Sequence, residues 1–314
     1  MDVTTIETAY AGRDQLAASY LVSEGEALAV IETSTSLAVP RILSAIEAAG
    51  RTPEDVRHIV VTHAHLDHAG GAGTLMTACP NATLWAHPKA AKHLIDPTKL
   101  VESSRGVYGD AFDKLYGQIL PVPEARVQIP DDGASLSFGT RTFTFLYTRG
   151  HANHHFVVHD SGSDGVFTGD SFGVIYPALQ APNQPVFAFP STTPTDFDAP
   201  LAHEAVDRIV QTGAKVVFPT HYGAWTDLSA IATELHRLID AHGALVDEAD
   251  RAELPDAELD AWFAERVAAL FDEELQRRGL DGDTRARHLI TFDMDLNAQG
   301  LAFAVRKRRF KRGR

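Results

Sequence analysis

Apolar and polar positions alternate with the two-residue period of half-buried strands along residues 4–10, 17–22 and 27–32. They then change to the three-to-four spacing of a helix over 38–49, closed by Gly50. A short apolar run, Ile59-Val60-Val61, reads as a buried strand, and side chains two apart on a strand share a face. Helical spacing follows to near Cys79, a further strand is expected at 83–85, and the polar, weakly periodic 96–118 reads as an inserted helix and loop. Residues 135–138 and 141–147 flank Gly139-Thr140 as a hairpin. Apolar runs at 166–169 and 216–218 predict two more strands. Past 226 the period is helical over 228–242 and 257–278, interrupted by Gly243 and Pro255, and 285–305 ends in an alternating run at 301–305. Strands followed by helices, repeated twice, predict an α+β fold with two sheets face to face and helices outside. The chain is expected to divide into a domain over 1–225 and a mainly helical C-terminal region over 226–314.

Chemistry gathers where the predicted strands end. Directly after Ile59-Val60-Val61 comes Thr62-His63-Ala64-His65-Leu66-Asp67-His68-Ala69-Gly70-Gly71, three imidazoles and a carboxylate within six positions. Gly70 and Gly71 are expected to let the backbone bend tightly before the next helix. Three more candidates follow in order: His151 with His154 and His155 after the strand ending at Tyr147, Asp170 after 166–169, and His221 after 216–218. Each sits just past the carboxyl end of a strand, where a sheet presents its loops to a common site. Imidazole and carboxylate donors suit Zn²⁺, Fe²⁺ or Mn²⁺, and a single cysteine excludes a thiolate cluster.

These segments, in this order, resemble the metallo-β-lactamase-fold hydrolase superfamily over roughly the first 225 residues, which implies an αββα sandwich with an appended helical region. By that resemblance His63, His65 and His151 would hold one metal ion, Asp67, His68 and His221 a second, and Asp170 would bridge both. Glu32 and Arg149 stand where the family often has Asp and Pro, and neither is expected to touch a metal ligand. The implied activity is that of a dinuclear, metal-dependent hydrolase, with two divalent ions, Zn²⁺ first and Fe²⁺ or Mn²⁺ as alternatives. A bridging hydroxide would attack an ester, lactone or thioester with an apolar part. Asp67 would also move a proton, and Tyr176 and Tyr222 would donate to a developing oxyanion. A mononuclear iron enzyme of the sulfur-dioxygenase kind, or a phosphodiesterase, is the alternative on the same scaffold. Similarity to glyoxalase II enzymes and lactonases rests on the helical carboxyl-terminal region and is weaker.

Charge and composition narrow this further. The net charge of −14 hides seven basic residues between Arg306 and Arg314, and without them the chain carries 21 basic against 42 acidic side chains. So acidic a body disfavours nucleic acid and leaves a small molecule as the expected substrate. The basic tail is expected to be a mobile, solvated terminus. The amino terminus has no basic start and apolar core, and no stretch reaches the roughly 18 apolar residues that cross a bilayer, so a soluble cytoplasmic protein is expected. The helical region is expected either to cover the site rim or to build a homodimer interface. Between Asp170 and 196 the aromatic, proline-punctuated loop reads as a pocket wall or as a stiff loop packed on its own core. His87 is expected at the surface or behind a ligand, and His203, His236 and His242 in incidental helical or surface positions.

Overall fold

The computed structural model describes residues 2–313, so Met1 and Arg314 lie outside it. Its residues form two compact units. The first comprises 1–147, 154–169 and 212–226, and the second 148–153, 170–211 and 227–314. Compactness thus divides the chain differently from a single cut near 225, because two internal segments join the C-terminal helices.

In the first unit, β1 (Val3–Glu7), β2 (Ala18–Glu24), β3 (Ala27–Ile31), β4 (Val56–Val60), β5 (Thr83–Trp85) and β6 (Val127–Gln128) form one sheet in sequential order. β7 (Ser135–Phe138), β8 (Arg141–Thr148), β9 (His155–Asp160), β10 (Gly165–Gly169) and β11 (Val216–Pro219) form the other in the reverse order, with β10 and β11 parallel. The period-two pattern assigns each strand's two faces. Tyr20, Val22, Ala29, Ile31 and Val60 from the first sheet meet Phe143, Phe145, Phe156, Phe167 and Phe218 from the second in one core. Leu21, Leu28, Val30 and Ile59 point the other way. They pack beneath α1 (Val39–Ala48), α2 (Leu66–Ala69), α3 (Ala72–Ala78) and α4 (Pro88–Ile95). The insertion at 96–118 supplies α5 (Thr98–Tyr108) and α6 (Phe112–Tyr116). Cys79 is buried among the helices, and burial pushes its thiol up to about 11, which makes it an apolar filler.

Gly71 corrects the reading of the paired glycines. Its φ is −83°, an ordinary helical value, so the backbone needs no special freedom there. What forbids a side chain is space, since a Cβ would lie 2.6 Å from the Thr33 carbonyl oxygen. Gly169 is the converse case. Its φ is +49°, and a Cβ would meet both His155 Nε2 and Thr62 Oγ1 at 2.5 Å, so glycine is required on both counts just before Asp170.

The second unit contains α7 (Ala199–Val210), α8 (Leu228–Arg251), α9 (Leu259–Arg277), α10 (Thr284–Leu289) and α11 (Thr291–Arg312). Gly243 does not interrupt α8. It lies where α7 comes close, a Cβ there meeting Ala199 Cβ at 3.1 Å. The loop after Asp170 is packed on its own unit. Phe172, Phe187 and Phe189 are fully buried, and Phe189 stacks edge-on against Phe271 of α9 at 5.1 Å. The alternating run 301–305 is helical, and the basic tail is folded as the end of α11. Arg306 pairs with Asp260, Arg308 with Asp247, and Arg309 with Asp250 and Asp256, which replaces the expected mobile terminus. Among the described residues no helix is long and apolar enough to cross a membrane.

Candidate metal centre

The strand ends place the predicted donors as expected, although His63 and His65 lie beyond β4 in a turn and not on the strand itself. His65 occupies the position before α2, whose first turn carries Asp67 and then His68. His151 follows β8, Asp170 directly follows β10, and His221 lies two residues after β11.

In the first unit the rings crowd together. His63 has its ring centroid 4.4 Å from that of His65 and 4.0 Å from that of His68. One donor atom each of Asp67, His68 and His221 lie within 4.8 Å of one another. Asp67 Oδ2 is 3.3 Å from His221 Nε2 and 3.7 Å from His68 Nε2. His63 and His68 are fully buried, where a set of imidazoles facing each other needs something of opposite character at its centre.

Hydrogen bonds settle which nitrogen each ring offers. His221 Nδ1–H donates to the Leu16 carbonyl at 2.6 Å, which leaves Nε2 facing Asp67. Thr62 Oγ1 gives its proton to Glu32 Oε1 in a short bond, so it can accept from His63 Nδ1–H at 3.1 Å. The same Glu32 oxygen lies 3.5 Å from His68 Nδ1. In His63 and His221 Nδ1 therefore donates to an oxygen and Nε2 keeps the lone pair, the tautomer that metal-ligating histidines take. Glu32 is correspondingly not remote from the candidate ligands. It is buried, has φ +63°, and reaches two of them, one through Thr62. Its carboxylate orients the His63 ring through the Thr62 hydroxyl.

Other residues found only in three dimensions fix the frame. Tyr20 on β2 donates to the Pro219 carbonyl at 2.5 Å, and the Ala18 amide donates to the Thr220 carbonyl at 2.8 Å, clamping the strand end that carries His221. Burial holds the Tyr20 hydroxyl well above its usual range. His155 opens β9 fully buried with its ring 4.8 Å from His63, while His154 accepts from the Ala64 amide at 3.4 Å. His87 is neither a ligand nor a surface residue, since it caps α4 by accepting from the Lys89 amide at 3.1 Å. Burial lowers its pKa to about 4.

The second unit holds the remaining two candidates as a pair. His151 Nδ1–H donates to the Ser191 carbonyl at 2.9 Å, and its Nε2 lies 3.4 Å from Asp170 Oδ2. The same tautomeric arrangement recurs. Tyr176 is buried with its hydroxyl donating to Asp293 at 3.2 Å. Tyr222, in the first unit, is pushed up to about 12 by burial and by the nearby Glu7 carboxylate, so it is a neutral phenol.

Clustered imidazole and carboxylate donors are a set that Zn²⁺, Fe²⁺ or Mn²⁺ fits. Comparison with known proteins agrees. The sequence matches the profile of the Metallo-beta-lactamase superfamily over residues 12–221. The metallo-beta-lactamase fold-containing protein ST1585 of Sulfurisphaera tokodaii is 29% identical over 169 residues, covering 53% of this chain and 60% of that protein. The chain thus matches less than two thirds of that relative's length. The crystal structure of ST1585 from Sulfolobus tokodaii shares the fold with a TM-score of 0.62 at 24% identity, covering 75% of this chain and 85% of that one. Metallo-beta-lactamase family protein TTHA1429 from Thermus thermophilus gives 0.63 at 19% identity, covering 98% of this chain and 94% of that one. With the strand-end donors, the paired sheets and a profile match over most of the chain all in agreement, this protein belongs to the metallo-beta-lactamase superfamily.

Proposed function

We propose that the protein is a hydrolase holding two divalent metal ions, Zn²⁺ before Fe²⁺ or Mn²⁺, and that it cleaves an ester, lactone or thioester with an apolar part. His63, His65 and His151 would hold one ion, Asp67, His68 and His221 the other, with Asp170 shared. The observation that carries this reading is that donor atoms of Asp67, His68 and His221 lie within 4.8 Å of one another, while His63, His221 and His151 each donate from Nδ1 to an oxygen and keep the Nε2 lone pair. The order of the segments within the family supports joining the His151–Asp170 pair to the rest, and Asp170 is covalently next to Gly169, which packs on His155 and Thr62. When bound, such an ion pair supplies an activated water near neutral pH and polarises the oxygen of the group under attack.

The chain's own residues do the remaining work. Asp67 keeps 21% of its side-chain surface exposed, so beyond contributing an oxygen it can hand a proton to a leaving group. Tyr222, protonated at neutral pH, can donate to a developing oxyanion once it turns from Glu7. Tyr176 would first have to leave Asp293, which makes it the weaker of the two. The acidic body argues against a polyanionic substrate and hence against a phosphodiester.

Elemental analysis of protein purified without added metal tests the reading. Two equivalents per chain of zinc, iron or manganese at the strand-end donors are expected, lost on substitution of those donors, with turnover on an ester, lactone or thioester panel. A single equivalent of iron, with oxygen uptake on a persulfide, would replace it with the dioxygenase reading.

A further inference from the structure

A second group of histidines, none of them among the strand-end donors, lies on two helices of the second unit. His203 and Asp207 are one turn apart on α7, and His236 and Asp240 are one turn apart on α8. The two helices pair these residues crosswise. His203 Nε2 lies 2.9 Å from Asp240 Oδ1, and His236 Nε2 lies 3.1 Å from Asp207 Oδ1. The rings stack at 4.9 Å with 12° between their planes, and their two Nδ1 atoms face each other at 2.6 Å.

The tautomers follow from the carboxylates. An ionised Asp only accepts, so each Nε2 must carry the proton that it donates. A neutral imidazole protonated at Nε2 has a bare Nδ1. Two lone pairs then point at one another across 2.6 Å, an arrangement that needs a cation between them. One proton would satisfy the nitrogens but leave the four residues with a net charge of −1, one imidazolium against two carboxylates. A divalent ion held by both neutral rings balances the two carboxylates. It also completes the carboxylate–histidine–metal relay in which the outer acid holds the ring and raises its basicity.

We propose that His203 Nδ1 and His236 Nδ1 form a bis-histidine site for a borderline divalent transition metal, of which Zn²⁺ is the simplest, backed by Asp240 and Asp207. Two nitrogens each about 2.0–2.1 Å from one zinc ion are roughly 3.3 Å apart, so the rings need open by less than about 1 Å. Waters fill the other positions, since His203 and His236 are 27% and 31% exposed. The ion would staple α7 to α8 and stabilise the helical unit by binding the folded state alone.

The test uses the full chain equilibrated with excess Zn²⁺ and then dialysed, with metal counted per chain and thermal melting followed with and without Zn²⁺. The His203→Ala/His236→Ala double variant is expected to hold one equivalent less than the wild type and to lose the part of the zinc-induced rise in melting temperature that belongs to this site. Because the strand-end donors are untouched, this difference stands whatever their own metal content proves to be. The Asp207→Asn/Asp240→Asn variant keeps both ligands and the side-chain shapes, and is expected to weaken this one equivalent about 10–100-fold. Equal zinc content and an equal melting shift in wild type and the alanine variant would overturn the proposal and leave a shared proton between the rings. Should the alanine variant fail to fold, unchanged zinc affinity in the asparagine variant would overturn it equally.

Discussion

The two histidine groups of this protein are built by opposite means. In the first unit, His63 and His68 share one short segment and His221 comes from a distant one; all three are nearly or wholly buried, with Nδ1 of His221 held by a backbone carbonyl and that of His63 by the Thr62–Glu32 relay. On α7 and α8, His203 and His236 come from two helices with a four-residue repeat, are partly exposed, and are held at Nε2 by surface carboxylates. Buried rings locked by the main chain cannot turn away, which suits a centre whose geometry sets a reaction. Exposed rings on helices keep rotameric freedom, and their metal affinity comes mainly from pairing the two helices. Both units enclose aromatic cores, Phe143, Phe145, Phe156 and Phe167 in the first and Phe172, Phe187, Phe189 and Phe271 in the second, but five of the seven candidate ligands belong to the first.

Substitutions should therefore read out as chemistry in one unit and as stability in the other. The largest effect is expected from Asp67→Asn, which removes both a ligand charge and a proton carrier. Turnover should fall about 10²–10⁴-fold or more with an unchanged circular dichroism spectrum, and wild-type rates would remove Asp67 from the chemistry. Next, Phe172→Ala should cost about 3–5 kcal/mol in urea unfolding, because the ring is fully buried, while metal content stays near wild type. A change of substrate preference without loss of stability would instead make that loop a pocket wall.

His242 supplies a pH test within the helical unit. It is fully buried on α8, donates from Nδ1 to the Leu238 carbonyl at 2.7 Å, and burial lowers its pKa to about 4. The unfolded chain, with His near 6.5, binds the proton more readily, so the stabilising contribution is complete above about pH 6.5. It declines as pH falls through that value and is fully lost near pH 4, a swing of up to ~3 kcal/mol. The His242→Leu variant should show a flatter acid limb in denaturant melts between about pH 4 and 6.5, and an identical limb would assign the loss to other groups. The smallest expected effect is that of Glu32→Gln, which keeps shape but loses the charge facing His68. Metal retention should weaken about 10–100-fold in chelator competition. Unaltered retention would mean that Thr62 alone sets the His63 tautomer.

Much of the first unit could be read along the chain because its strands have one face toward each of two cores, so Tyr20 to Val22 and Leu28 to Ile31 stand out as continuous apolar runs. The helical unit was harder. Gly243 reads as a break but is the small residue that lets α7 approach α8, and Leu301 to Val305 alternates in sequence yet is helical because both sides of α11 there are covered. Four of the tail's basic residues, Arg306, Arg308, Arg309 and Arg312, looked solvated because their partners, Asp247, Asp250, Asp256 and Asp260, lie 46 to 62 residues upstream on α8, on α9 and in the turn between them. Spacing cannot reveal a pairing set by helix packing.

By itself the sequence determined the α+β architecture, the family and the order of the strand-end donors, because each depends on local periodicity or on a motif within one turn. Tertiary structure alone decided the ring tautomers, the reach of Glu32 to His63 and His68, and the burial of the loop after Asp170. It also decided the crosswise pairing of His203 with Asp240. Those depend on which groups from distant segments come within hydrogen-bonding distance, a property of packing that no single stretch of chain encodes.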